Sequence, residues 1–279
     1  MFKQQFFPGA RILPALFAIL LSACTDLSAV RDWAATSLEA TEFNEIVTTY
    51  ADTPKRLVVY DQAGAATWNQ EADLRAAQAE ALTQQLALVA DYMAALAALA
   101  DDDITDYRGD VKTLTASLKK TGRVSEPTLG AAGNLARLLL NAAAGAWQKG
   151  EVADLIERGN GPLQNILGGE LRDIVDKDFR RDLETEAQVL DRHFEDLLRF
   201  GGGSQAANAA LSEWFALRRT ENARRMAAVD SYLAVLGQIA EGHQKLYDNR
   251  DDLDAKQLAK DLFKLAKGIR ASVKQILKA

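Results

Sequence analysis

Apolar residues recur at helical spacing along most of this 279-residue chain. Between Ala66 and about Ala100 they keep close to a 3.6-residue period, which predicts one long amphipathic helix. A similar pattern over 25–52 predicts a second helix, which should stop before Pro54 because proline lacks the backbone donor that a helix interior needs. The following stretch KRLVVYD, residues 55–61, is predicted to be part of a helix or a packed connector.

The second half of the chain adds further helical patterns. Residues 104–121 and 127–148 are predicted to be helices, and RGNGP at 158–162 is predicted to be a break. Proline is tolerated in the first turn of a helix, so Pro162 is expected to open the next one, which continues to Phe200. The Gly168-Gly169 pair is a candidate kink within that helix.

A helical hairpin is the clearest tertiary prediction. GGGS at 201–204 predicts a turn, and Ser204 is a suitable N-cap for a helix that reaches about Tyr247. If the chain reverses near residue 202, Glu186 faces Arg218 and Asp182 lies near Asn222. Opposite charges at matched height support this pairing, although an exposed ion pair contributes only about 0.2–1 kcal/mol.

The last predicted helix, about 254–278 with Asp254 as its cap, separates basic from apolar residues. Its cations fall within a sector of roughly 120° at 100° per residue, and six apolar residues lie opposite, namely Leu258, Leu262, Leu265, Ile269, Val273 and Ile276. These cations are predicted either to contact an anionic surface or to stay in solvent while the apolar side docks on the rest of the protein. They are Lys256, Lys260, Lys264, Lys267, Arg270, Lys274 and Lys278.

Composition agrees with this pattern. The chain is 48% apolar and 26% charged, with only 5 prolines, which is typical of a globular helical protein. We therefore predict an all-α fold, an elongated bundle of long antiparallel helices, with residues 24–279 as a single domain. One cysteine and two histidines exclude an internal disulfide and a Cys/His zinc framework.

The first 23 residues have the features of a signal peptide. Lys3 and Arg11 supply positive charge, and the apolar stretch 12–21 is too short to span a bilayer, for which about 20 residues are needed. Small residues follow at Ser22 and Ala23. No second run of this kind follows, so the rest of the chain is expected to be exported and soluble, with 24–30 as a possible short tether.

The stretch Leu21-Ser22-Ala23-Cys24 resembles the lipobox of bacterial lipoproteins. The resemblance covers only the start of the chain, and it implies that the thiol of Cys24 carries diacylglycerol and that the new amino terminus is acylated. Three acyl chains anchor a protein far more firmly than one. In enterobacterial lipoproteins an aspartate directly after the lipidated cysteine favours retention in the inner membrane. Here that position is Thr25, so the resemblance implies the outer membrane, facing the periplasm.

Candidate chemistry elsewhere is sparse. Neither His193 nor His243 has another histidine or a carboxylate four residues away, so both are predicted to be ordinary surface or partly buried residues. No nucleophile motif or phosphate-binding loop is present, so we expect no catalytic residue, metal or cofactor. A second group of cations could bind an anionic partner or pair with acidic residues of the facing helix. It consists of Arg218, Arg219, Arg224 and Arg225.

These observations favour a non-enzymatic lipoprotein that binds or scaffolds another envelope component, either a protein or the cell wall. Removing Lys3 and Arg11 changes the formal net charge from −6 to −8, so nucleic acid is not an expected partner. An inhibitor or immunity lipoprotein belongs to the same class. The alternative is a membrane-active helical protein, because residues 129–147 form the most apolar interior stretch and could enter a bilayer, although a core helix explains them as well.

Overall fold

The structure is a computed structural model that describes residues 26–41, 45–101, 124–141 and 152–278. All regular elements in these ranges are helical, which confirms the all-α class. The predictions for the signal peptide 1–23, for Cys24 and for a helix over 104–121 fall outside the described residues. The helices are α1 (Ser28–Thr41), α2 (Glu45–Tyr60), α3 (Ala65–Ala100), α4 (Glu126–Asn141), α5 (Val152–Gly168), α6 (Glu170–Asp173, a π-helical turn Ile174–Phe179, and Arg180–Phe200), α7 (Gln205–Asp248) and α8 (Lys256–Ile276).

Two long helices organise the packing. Helix α3 contacts α1, α2, α4 and α5, and α7 contacts α1, α2, α5, α6 and α8. The core between them contains large aromatic side chains as well as the predicted leucines, and burial of such side chains dominates core energetics. The largest fully buried aromatic residues are Trp33, Tyr50, Tyr92, Phe179, Phe194 and Tyr232.

The prediction that a helix stops before Pro54 is wrong. Helix α2 runs through this proline to Tyr60 and includes most of the KRLVVYD stretch. Pro54 has no N–H to donate to the carbonyl of Tyr50, four residues earlier, and side chains add donors to the neighbouring carbonyl of Thr49. The carbonyl oxygen of Thr49 accepts from the Thr53 hydroxyl at 3.0 Å and from Arg56 Nη1 at 3.2 Å. Since Pro54 is itself buried, tertiary packing outweighs the local signal.

The predicted break at 158–162 is also wrong, because α5 continues from Val152 to Gly168 with Pro162 inside it. The glycines of this stretch serve packing rather than a turn. Gly159 is buried, and a Cβ atom built there would lie 2.4 Å from the hydroxyl oxygen of Tyr92. Gly159 therefore allows α5 to approach α3 closely.

A kink was predicted at Gly168-Gly169, and the helix is fully interrupted there. Helix α5 ends at Gly168, and α6 begins at Glu170. The π-helical turn that follows was not predicted. It ends at Phe179, whose ring packs edge-on against Tyr50 with centroids 5.4 Å apart. A π-turn holds one residue more than an α-turn, so it changes which face of α6 meets α2.

The turn between α6 and α7 agrees with the prediction. Gly202 has a φ of 59°, which favours glycine, and Ser204 caps α7 by accepting from the backbone nitrogen of Ala207 at 3.3 Å. The cap prediction for α8 is wrong, because this helix begins at Lys256 after Ala255 and has no side-chain cap.

The register of the hairpin agrees with the prediction to within one residue at Asn222, but the partner of Glu186 lies seven residues, about two turns, further along α7. Asp230 pairs with Arg180 at 2.9 Å, and Glu186 pairs with Arg225 at 3.4 Å rather than with Arg218. The side-chain nitrogen of Asn222 donates to the carbonyl of Leu183, next to the expected Asp182. Charge matching alone does not define a register here, because arginines recur over two turns of α7.

Candidate functional site

The hairpin end, which we define as residues 192–218 around the α6–α7 turn, is built on a cluster of aromatic rings. Phe194 is fully buried, and its ring centroid lies 5.0 Å from Phe215 and 5.6 Å from Trp214. Tyr60, the last residue of α2, packs against His193 and Phe194, with ring centroids 5.5 and 6.2 Å from its own. Aromatic pairs of this geometry contribute about 0.5–1.5 kcal/mol each beyond burial, so they give the hairpin end a rigid base.

Beyond this cluster the hairpin exposes large apolar side chains. Phe200 is 72% exposed, Leu217 52%, Trp214 45% and Leu197 38%. The described part of the chain has seven exposed large apolar residues, and four of them lie within this short region. A concentration of this kind is typical of an interaction surface, whereas scattered single exposures are ordinary.

A cleft of about 560 Å³ lies between α6 and the α2–α3 connection. Its walls include Tyr60, Asp61, His193 and Phe200. Asp61 is held in place, because its side chain accepts from the indole nitrogen of Trp68 at 2.9 Å and from the backbone nitrogen of Gly64 at 3.0 Å. These donors hold the pKa of Asp61 below its usual range. The cleft therefore combines an apolar wall with three charged side chains, those of Asp61, Asp196 and Arg192.

The predicted arginine cluster divides between two places. Arg218 lies over the ring of Trp214 at 5.7 Å and pairs with Glu221, and Arg219 lies over Phe215 at 5.6 Å. These two guanidinium groups border the exposed apolar residues of the hairpin end. Arg224 is exposed on α7. The geometry therefore does not gather the four arginines into one site.

Arg225 belongs to a buried polar layer, which we define as Arg56, Arg75, Asp182, Glu186 and Arg225. Glu186 is only 1% exposed, and Arg56 binds both of its carboxylate oxygens, at 2.8 and 2.9 Å. Arg225 approaches the same carboxylate at 3.4 Å, and burial together with repulsion from Arg56 lowers its pKa. One carboxylate thus ties α2 and α7 to α6.

The second pair of the polar layer lies one turn earlier on α6. Arg75 of α3 binds Asp182 with two hydrogen bonds, of 2.7 and 3.2 Å. Burial opposes the charge of Arg75, but the bond to Asp182 holds its pKa above the ordinary value. Its guanidinium group also lies 5.3 Å from the ring centroid of Tyr50. These contacts satisfy both charges, so the layer has a structural explanation without a ligand.

His243 lies in a separate buried group with Tyr92 and Asn160. Its Nδ1 is 2.9 Å from the side-chain oxygen of Asn160, whose nitrogen donates to Gln244. That oxygen must accept, so Nδ1 carries the proton and Nε2 accepts from the Tyr92 hydroxyl at 2.7 Å. Burial lowers the pKa of His243 to about 3, so the ring is neutral. Both nitrogens are occupied, and the residue joins α3, α5 and α7.

Helix α8 docks through its apolar side, as predicted. Leu258, Leu262 and Ile269 are buried, and Arg270 donates to the hydroxyl of Thr36 on α1 at 2.7 Å. All seven predicted cations of this helix and its last turn are exposed. Phe263 and Leu277, which were not among the predicted contact residues, are 70% and 63% exposed on the same helix and its last turn.

No protein-family model, curated protein or solved structure matches this chain. Within the described ranges no group of three or more metal-binding side chains occurs. In the same ranges α3 has the length and apolar composition of a membrane-spanning helix, but 61% of its most apolar window is buried in the bundle, as in the core helix of a soluble protein. The interpretation of function therefore depends on the surfaces described above.

Proposed function

We propose that this chain is a lipoprotein of the outer membrane, facing the periplasm, that binds another envelope protein and has no enzymatic activity. The observation that carries the proposal is the exposed apolar surface of the hairpin end. The lipobox-like stretch ending at Cys24 supports the anchor, and α1 begins only four residues later, at Ser28. An extended chain of four residues reaches about 14 Å, so the anchor would hold the helical body close to the membrane.

The composition of the hairpin end supports a protein partner rather than a polysaccharide. Tryptophan, phenylalanine and arginine are enriched at protein interfaces, and binding energy concentrates in such residues when they become buried. Phe200 and Trp214 supply the apolar anchors, and Arg218 and Arg219 lie beside the rings. The cleft adjoining Phe200 could accept a side chain of the partner.

The position of the hairpin end also suits a scaffold. Trp33 of α1 packs against Gly242 near the far end of α7, and 37 residues of one continuous helix separate Gly242 from Gln205. At 1.5 Å per residue this distance is about 55 Å. The proposed anchor and the proposed partner surface would thus lie near opposite ends of α7, so a partner could bind without contact with the anchored end.

The packing of α4 supports this proposal over a membrane-active protein that inserts residues 129–147. Within the described part of that stretch, Ala132, Leu135 and Leu139 are buried, and α4 contacts α5 and α3. Insertion would remove these side chains from the core, whereas the bundle already buries them. An inhibitor or immunity lipoprotein would use the hairpin end in the same way, with a toxin as its partner.

The anchor is tested by metabolic labelling of the full-length chain with an alkyne fatty acid. The wild-type chain should be labelled and should sediment with outer-membrane fractions, and Cys24→Ser should lose the label, because its hydroxyl is not a substrate for thioether formation. Thr25→Ser is a control that leaves the cysteine intact. An unlabelled wild-type chain would refute the anchor.

The partner surface is tested by photo-crosslinking in cells. A benzophenone amino acid at Phe200 or Leu217 should give one discrete crosslinked protein band, and a control at Glu241, which is exposed elsewhere on α7, should not. Trp214→Asp should remove the band, because a carboxylate cannot enter an apolar interface without a large desolvation cost. The same band from all three positions, or no band from the hairpin end, would contradict the proposed surface.

A further inference from the structure

The exposed side of α8 combines positive charge with apolar side chains and has no negative charge. We define this α8 face as the exposed positions between Lys256 and Lys278. They carry the seven cations, two glutamines, an alanine, Phe263 and Leu277, but no acidic residue. The only acidic residue of the helix, Asp261, is partly buried and lies 3.7 Å from Lys245 of α7. The surface is therefore positive over its whole length.

Phe263 lies within the basic sector rather than at its border. At 100° per residue its direction falls about 20° from that of Lys256, between those of Arg270 and Lys267. Its ring is 70% exposed although the opposite side of α8 is fully docked on the bundle. A single exposed ring is ordinary by itself, but this ring lies among seven cations on one side of a helix. Position and exposure together indicate that a partner of α8 accepts both charge and an apolar ring.

We propose that the α8 face binds the surface of an anionic phospholipid membrane. Lysine and arginine near such a surface are attracted by its negative potential, and a phenylalanine among them can enter the boundary between headgroups and acyl chains. Lysine stems are long enough to reach the phosphates while the ring is inserted. The seven cations are spread along about 30 Å of helix, which suits an extended anionic surface.

The place of α8 in the fold fits this partner. Helix α8 packs directly against α1, the first helix after the proposed acylation site, and Arg270 is hydrogen-bonded to Thr36. This step depends on the proposed function, whereas the charge and exposure of the α8 face do not. With the acyl chains in the bilayer, the α8 face would lie within about one helix diameter of α1, close to the headgroups. Because α8 packs alongside α7, contact along the face would lay α7 along the membrane.

The test uses chain 24–279 carrying Cys24→Ser, which cannot be acylated, so that a failed anchor and a failed α8 face are distinguishable. Binding is measured by co-sedimentation with vesicles of phosphatidylcholine alone or with 30% phosphatidylglycerol. We expect binding only to the anionic vesicles, with an affinity that decreases as sodium chloride is raised from 50 to 300 mM. Equal binding to both vesicles, or to neither, would overturn the proposal.

Matched variants separate the α8 face from the net charge of the chain. Lys264→Glu with Lys267→Glu should weaken binding to anionic vesicles by at least about 25-fold, since each lysine contributes roughly a factor of five. Lys55→Glu with Lys177→Glu makes the same charge change at exposed positions outside α8 and should have a much smaller effect. Equal loss in both double variants would refute a specific face.

The apolar contribution has its own control. Phe263→Ala should weaken binding by about 10-fold, because an inserted ring is lost, and Phe200→Ala removes an equally exposed ring from the hairpin end and should not. If Phe200→Ala has the larger effect, the hairpin end rather than α8 inserts. A salt-sensitive dimer in sedimentation velocity that the Lys264 and Lys267 variant abolishes, without vesicle binding, would assign the α8 face to a second copy and overturn the proposal.

Discussion

Lowering the pH from 7.0 to 4.5 is expected to destabilise the bundle through His243. The ordinary pKa of histidine is 6.5, and burial lowers that of His243 to about 3. Below pH 6.5 the unfolded chain therefore binds a proton that the folded chain does not. The folded pKa is the lower one, so the stabilisation is complete above pH 6.5 and is lost as the pH falls toward 3. Each pH unit below 6.5 lowers the free energy of unfolding by about 1.36 kcal/mol, which amounts to about 2.7 kcal/mol at pH 4.5.

The variant His243→Gln isolates this effect. Glutamine does not titrate and retains an amide that can donate toward Asn160 and accept from Tyr92, the two partners of the ring. Carboxylates also make folded proteins sensitive to acid, but they are the same in both chains. The loss of stability between pH 7.0 and 4.5 should therefore be smaller in the variant by about 2.7 kcal/mol, whatever its stability at pH 7.0.

The assay is urea unfolding of chain 25–279, followed by far-UV circular dichroism at both pH values. His193→Gln removes the other histidine from the half-buried edge of the hairpin cleft, and the His243-dependent loss should remain in it. Equal acid losses in the wild-type and His243→Gln chains, within about 0.5 kcal/mol, would refute the reasoning. That result would mean that the folded protein accommodates a charged ring between α3, α5 and α7.

Two further substitutions test other buried contacts by the same unfolding assay. Glu186→Gln should destabilise the protein by about 3 kcal/mol, because it removes the buried carboxylate that two partly buried arginines share, whereas Glu184→Gln, at an exposed position nearby, should change stability by less than about 0.5 kcal/mol. Gly242→Ala should cost about 1–3 kcal/mol, since its Cβ atom would lie 2.4 Å from the indole of Trp33, whereas Gly237→Ala has open space and should stabilise α7 slightly. Equal effects of either variant and its control would contradict the packing described here.

Helix positions that follow a simple apolar period could be predicted from the sequence. The limits of α3 and α7 agree with prediction to within one residue, because a long periodic face is a strong signal and Ser204 caps α7. Local breakers were less informative. Pro54 and Pro162 both lie inside helices, and Pro54 is buried there, so tertiary packing outweighs the lost backbone bond at that position. The sequence alone does not predict which backbone carbonyls accept a hydrogen bond from a side chain, as the carbonyl of Thr49 does from Arg56.

The polar contacts of the core depend on pairing over long sequence separations, which no local pattern contains. Glu186 and Arg56 are 130 residues apart, and Tyr92 and His243 are 151 residues apart. The sequence predicted charge on α6 and α7 but not the α2 arginine that binds both oxygens of Glu186. The exposed apolar residues of the hairpin end could not be assigned either, because Phe194 and Phe200 look alike in sequence and only tertiary packing distinguishes them.

The two proposed attachments, acyl chains at Cys24 and the α8 face, would differ in energy and therefore in role. Acyl chains contribute about 0.8 kcal/mol per buried methylene and hold a protein at the membrane without further help. An adjoining face then acts at a high effective concentration, so even millimolar intrinsic affinity is enough for it to be occupied most of the time. The α8 face would add little to anchoring. It would determine the orientation of α7, and with it the direction in which the hairpin end meets its partner.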